Sequence, residues 1–169
     1  EVMVGKTLGS LSENYFSGTD EERTVELQAM LDDRNIHAIL FGRGGYGMGR
    51  IIDQLDFKQF RKFPKWLIGF SDITLMHTHV FSKLNTATIH GPMAGAFNVE
   101  DGNSTFINTL HKAITGKKAK YSAVPQQLNR PGKAKGKLIG GNLALLTHAI
   151  GTASDFDTKN KILFIEDTG

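Results

Sequence analysis

Three short apolar runs constrain this chain more than anything else in it: "HAILF" (37–41), "KWLIGF" (65–70) and "TATIHG" (86–91). Each is too short for a helix; the first two carry little strand-type alternation, as expected of strands buried on both faces, and the third reads as another short strand. Helix-like segments separate them. "GTDEERTVELQAMLDDRNI" has a capping residue at Thr19 or Asp20, Glu21 and Glu22 in its first turn, and an apolar face of Val25, Leu27, Met30 and Leu31. "MGRIIDQLD" reads as a short helix, and "DITLMHTHVFSKL" as a longer one. Strands and helices alternating at this spacing predict an α/β fold with a mostly parallel sheet covered by helices on both sides. Right-handed crossovers then bring the loops "FGRGGYG", "GFSD" and "HGPM" to one sheet edge, where open α/β sheets bind ligands.

Beyond Gly91 the pattern thins. "FINTLHKAIT" reads as a helix. From Lys112 to Lys137 there are eight Lys or Arg residues, and no acidic residue stands between Asp101 and Asp155. Tyr121 is the lone aromatic in that stretch, so a solvated basic linker is favoured over a nucleic-acid surface, with attraction of a small carboxylate-rich substrate as a third reading. "KLIGGNLALLTHAIGT" opens a new unit, with Asn142 capping a helix that Gly151 ends, and "KILFIED" reads as a strand carrying acids at its end. The expected organisation is an α/β domain over 1–115, a linker over 116–136, and the opening of a second domain over 137–169.

The chain has no cysteine, which excludes disulfide scaffolds, thiol nucleophiles and thiolate metal sites. No apolar run reaches the roughly 18 residues of a membrane span. It begins at Glu1 and stops at Gly169 just after a strand-like run, and reads as a piece of something longer.

Two motifs carry chemistry. Gly42, Gly44 and Gly47 match G-x-G-x-x-G between a strand and a helix, as a dinucleotide site requires, with Asp72 as a candidate ribose-binding acid. Arg43 and Tyr46 are bulky for that role. The same loop also fits a structural turn, or a set of N–H groups aimed at developing negative charge. The second motif is Gly69-Phe70-Ser71-Asp72-Ile73, on the corner between a strand and a helix. It has the first glycine of a G-x-S-x-G nucleophile elbow but Ile73 in place of the last. Ser71 or Asp72 acting as a plain helix cap competes with Ser71 as a nucleophile. Among the histidines, His77 and His79 are two apart and cannot form an i, i+4 metal pair. His37, His111 and His148 fit hydrogen-bonded packing roles, which leaves His90 as the positional candidate for a base. Glu166 and Asp167 are either solvated or positioned to orient a histidine.

Taken together, "YFSGTDEERTVELQAMLDD", "ILFGRGGYGMGRIIDQLDF", "FPKWLIGFSDITLMH", "TIHGPMAGAF", "LIGGNLALLTHAIGT" and "KILFIEDTG" resemble the LD-carboxypeptidases, or muramoyltetrapeptide carboxypeptidases. This serine peptidase family includes the microcin C immunity peptidases. The resemblance implies Ser71 as nucleophile and Glu166 as triad glutamate, with the triad histidine beyond Gly169 and no catalytic role for His90. It implies Asp72 and Gly45 as oxyanion donors through their N–H groups, Gly44 being the neighbouring possibility, and Gly44, Tyr46 and Asn142 as substrate-binding residues. It also implies a further strand before Glu1. The expected activity is release of terminal D-alanine from murein tetrapeptides during cell-wall recycling in the cytoplasm. No cofactor, metal, nucleic acid or membrane is expected, and a homodimer is. The alternatives are cleavage of a microcin-type aminoacyl-nucleotide, a nucleotide-binding module using the glycine loop, or a non-catalytic muropeptide binder.

Overall fold

The computed structural model describes residues 1–10, 15–97, 105–118 and 120–168. The first helix, α1 (Asp20–Asp32), begins as the sequence predicts. Thr19 Oγ1 accepts the N–H of Glu22 at 3.1 Å and the Glu22 carboxylate accepts that of Thr19 at 2.7 Å, a reciprocal capping box. Leu27 and Leu31 are buried, but Val25, expected on the same face, is 63% exposed. At 100° per residue, Val25 points about 200° away from Leu27. At the far end of α1, the Lys65 ammonium donates to the carbonyls of Met30 and Asp33, at 2.8 and 2.6 Å.

Strands β1 (Ala38–Leu40), β2 (Trp66–Gly69) and β3 (Ile89–His90) form a parallel sheet in the order β1-β2-β3. Ile39 pairs with Leu67, and Ile68 with Ile89. The central strand is buried as expected, with Leu67 at 0% exposure. The outer β1 is not: Ile39 is buried, whereas Ala38 and Leu40 are exposed. Only the Ile39 side meets the apolar core that contains Leu27, Leu31 and Leu67.

Between β1 and β2 the expected single helix divides into α2 (Met48–Ile51) and a 3₁₀ turn (Ile52–Gln54), and a further short helix, α3 (Lys58–Lys62), follows. Ile52, Leu55, Phe57 and Phe60 from this broken stretch all lie in the core. After β2 a 3₁₀ turn (Ser71–Ile73) runs into α4 (Thr74–Leu84), whose residues Thr74–Val80 are all buried. Asn85 ends this helix in the left-handed conformation, φ 48°. Helix α5 (Thr105–Ile114) lies beyond.

The described residues of 116–136 form no helix or strand. A second parallel sheet then pairs β4 (Lys137–Asn142) with β5 (Lys161–Glu166), in register from Lys137↔Lys161 to Asn142↔Glu166. Helix α6 (Leu143–Ala149) connects the two strands. Its cap is Asn142, as the sequence predicts, with Oδ1 accepting the N–H of Leu145 at 3.3 Å. The α/β fold with parallel sheets flanked by helices is therefore as expected. Helix α4 packs against both sheets, and Thr74 Oγ1 accepts the N–H of Asn142 at 3.0 Å. No helix among the described residues is long and apolar enough to cross a membrane.

Candidate active site

The corner after β2 is built by sterics. Phe70 is extended, and Ser71 then takes φ 59°, a left-handed conformation that costs a non-glycine residue about 1–2 kcal/mol. Gly69 is required because a Cβ there would lie 2.9 Å from Ile73 Cγ1. Ile73 takes the place of the motif's last glycine because it is a core residue, 2% exposed. The turn has no side-chain cap, so the capping alternative for Ser71 and Asp72 is overturned. Ser71 is partly exposed at the corner, and Asp72 turns inward instead of back onto its own helix.

The glycine loop closes on this corner. A Cβ on Gly44 would lie 2.9 Å from Ser71 Cβ, 3.1 Å from its Oγ and 3.4 Å from Met93 Cε. The three loops expected to converge do so. The Phe41 N–H donates to Ile68 O, Gly91 N–H to Gly69 O, and Ala94 N–H to Phe41 O. Asp72, 4% exposed, accepts the N–H of Met48 on Oδ2 at 3.2 Å. Burial pushes its carboxyl above the ordinary range, while the N–H groups of Met48, Gly45 and Gly47 and the charge of Arg23 pull it back. Arg23 lies beneath Gly47, ion-pairs with Asp20 and stacks on Phe16 at 5.0 Å. The dinucleotide reading fits this poorly, because a buried carboxylate already occupies the amide side of the loop and Asp72 cannot reach a ribose. Tyr46 projects outward, 73% exposed.

Across from the loop, the carboxyl end of β4 packs against the Ser71–Ile73 turn, and the register sets Glu166 beside Asn142. Glu166 Oε1 is buried and has no hydrogen-bond partner among the described residues. Asn142, expected to bind substrate, commits Oδ1 to the α6 cap and donates Nδ2 to Asp167 at 3.4 Å. The His90 ring packs edge-on against Phe164 at 5.0 Å. Burial holds it below its usual range, against the opposing charge of Glu166. No hydrogen bond joins His90 to Ser71 among the described residues. His37, His111 and His148 are exposed, which removes the packing role expected for them.

His77 was not singled out from sequence, yet it supports the corner directly. Its Nε2 lies 3.0 Å from Gly69 O, its Nδ1 has no partner, and burial brings its pKa down to about 4. The folded state thus resists protonation that an unfolded chain accepts near 6.5. Stability from this group is present above pH 6.5 and is lost as pH falls toward 4. The parent is expected to lose up to about 3 kcal/mol more than His77→Gln over that interval, checked by urea melts of both at pH 7 and pH 4.

Residues 1–91 match the family model of the LD-carboxypeptidase N-terminal domain, and 135–169 match that of the LD-carboxypeptidase C-terminal domain. A probable murein peptide carboxypeptidase of Bacillus subtilis is 38% identical over 99% of this chain and 53% of its own length. The fold matches the muramoyltetrapeptide carboxypeptidase of Oxalobacter formigenes with a TM-score of 0.78 and 28% identity, over 92% of this chain and 53% of that one. It also matches the microcin C7 self-immunity protein MccF, solved with aspartyl sulfamoyl adenosine, with a TM-score of 0.77 and 25% identity, over 96% and 57%. The chain spans about half the length of the curated relatives it matches. With both family models matching in order, and the first covering more than half of the residues, the chain belongs to the LD-carboxypeptidase family.

Proposed function

We propose that Ser71 is the nucleophile of a serine-type LD-carboxypeptidase that releases terminal D-alanine from murein tetrapeptides. The observation that carries this reading is the strained, partly exposed Ser71 at the strand–helix corner with Gly44 packed on it. A serine kept at φ 59° presents its hydroxyl outward and aims the following N–H groups at the same space.

In this mechanism Ser71 Oγ attacks the peptide carbonyl and gives its proton to the family's histidine. That residue lies, by the resemblance, beyond Gly169. The carbonyl oxygen becomes an oxyanion held by the N–H groups of Asp72 and Gly45, or of Gly44 in place of Gly45. Each donor is worth about 3 kcal/mol. Collapse expels D-alanine, which takes the proton from the histidine, and water then hydrolyses the acyl-enzyme by the same route. Glu166 orients the histidine, and its unpartnered buried oxygen is suited to accept the imidazole N–H. Tyr46 and Asn142 border the substrate. The division at 1–115, 116–136 and 137–169 places nucleophile and glutamate in separate units. A cytoplasmic homodimer acting in murein recycling completes the reading. The basic linker would attract a carboxylate-rich peptide.

The test uses the full-length protein with a disaccharide tetrapeptide ending in D-alanine and, in parallel, aspartyl sulfamoyl adenosine, followed by mass spectrometry. Loss of one alanine supports the reading. Cleavage of the nucleotide analogue alone replaces the substrate, and no cleavage of either by folded protein sinks it.

A further inference from the structure

The residue after the proposed nucleophile has a side chain that the reaction itself leaves unused. Asp72 is an acid in an apolar corner, 4% exposed, and burying an unpaired carboxylate is costly. Its surroundings explain why it is tolerated. Oδ2 accepts the N–H of Met48, the first residue of α2, at 3.2 Å. The N–H groups of Gly45 and Gly47 act on the same carboxylate short of full hydrogen bonds, and Oδ1 completes none. Arg23, from α1, is the charged side chain acting on it. One amide hydrogen bond and two nearby N–H groups of the same loop thus face this anion. Here the anion is a covalent neighbour of Ser71.

We propose that the Asp72 carboxylate is a positioning residue that holds the glycine loop at its working distance from Ser71, and so sets the oxyanion site. The geometry leaves little slack. Gly44 already sits so close that a Cβ would be 2.9 Å from Ser71 Cβ, and Met93 closes the other side. Asp72 is the side chain that ties the loop's amides to the Ser71 turn, so loosening it changes the separation of the two halves of the site. The Gly45 N–H faces this carboxylate, which leaves the N–H of Gly44, packed against Ser71, as the loop's donor for the oxyanion. An amide in its place keeps the shape and can keep the bond to the Met48 N–H, but it removes the negative charge on which the Gly45 and Gly47 N–H groups act.

This inference rests on the reading of Ser71 as nucleophile, so the experiment separates the two. Full-length parent and Asp72→Asn are reacted with a fluorophosphonate, following the mass gain on the Ser71 peptide, and are assayed for D-alanine release. Expected for Asp72→Asn is a 30- to 300-fold fall in both the labelling rate and kcat, with KM within threefold of the parent. Labelling and kcat both within threefold of the parent overturn the proposal, as does a loss confined to KM. A parent labelled at Ser71 that releases no alanine sinks the substrate reading alone, and the labelling rates still decide the role of Asp72. A parent that is neither labelled nor active overturns both. Should Asp72→Asn not fold, NMR titration of the parent decides. The amide protons of Gly45, Gly47 and Met48 must shift together with the Asp72 carboxyl carbon, and independent titration overturns the clamp.

Discussion

Ser71→Ala in the full-length protein is expected to lower kcat for D-alanine release by about 10⁴-fold or more, with KM little changed. Removing a serine nucleophile leaves only the catalysis contributed by binding and by the oxyanion donors, which is a small residue of the whole. The melting temperature separates loss of chemistry from loss of structure. Alanine at φ 59° keeps the backbone strain of serine, so Ser71→Ala should melt near the parent. Ser71→Gly should be equally inactive but at least as stable, because glycine relieves about 1–2 kcal/mol of left-handed cost and returns part of it as unfolded-state entropy. Residual activity within tenfold of the parent in either variant would remove Ser71 from the mechanism. A Ser71→Gly protein that melts well below the parent would remove the strain argument.

The second large effect is expected on stability, at Gly140→Ala. Gly140 lies in β4 at φ 139°, a region that alanine rarely adopts, and a Cβ there would enter the van der Waals envelope of the Phe164 backbone carbonyl in β5. The obstacle is a paired strand and not a flexible side chain, so relief requires parting the two strands that carry Asn142 and Glu166. The expected cost is about 4 kcal/mol or more, at the upper end for single substitutions. Gly141→Ala carries the same backbone strain at φ 151° but meets the buried Thr74 side chain and not a paired backbone, so it should cost less than Gly140→Ala while still losing the bond from the Asn142 N–H. Gly132→Ala, with nothing near its added Cβ, serves as the control and should stay within about 0.5 kcal/mol of the parent. Urea midpoints of the three variants check the order, and a Gly140→Ala midpoint near the control would contradict the steric argument.

Much of the architecture was legible because the relevant signals are local. The Thr19–Glu22 capping box, the Asn142 cap and the apolar runs of β1, β2 and β5 each depend on residues a few positions apart. The serine on a strand–helix corner was visible for the same reason, as was the convergence of three loops once parallel crossovers were assumed. Errors arose where a face had to be assigned. Val25 sits about 200° from Leu27, and β1 meets the core on one side only, because burial depends on what a distant segment brings against an element.

The site divides along the same line. Residue identity and order determined that Gly69, Ser71 and Asp72 occupy a turn and that a glycine loop precedes them. Only the tertiary structure decided that Ser71 is held at φ 59°, since serine has no intrinsic preference for that conformation and it is seen only once the strand, the corner and the buried Ile73 are packed together. Tertiary structure also decided that Asp72 is buried under the glycine loop instead of capping its helix. That choice reflects long-range hydrogen bonding, because Met48 is 24 residues away and no local pattern encodes an amide at that distance.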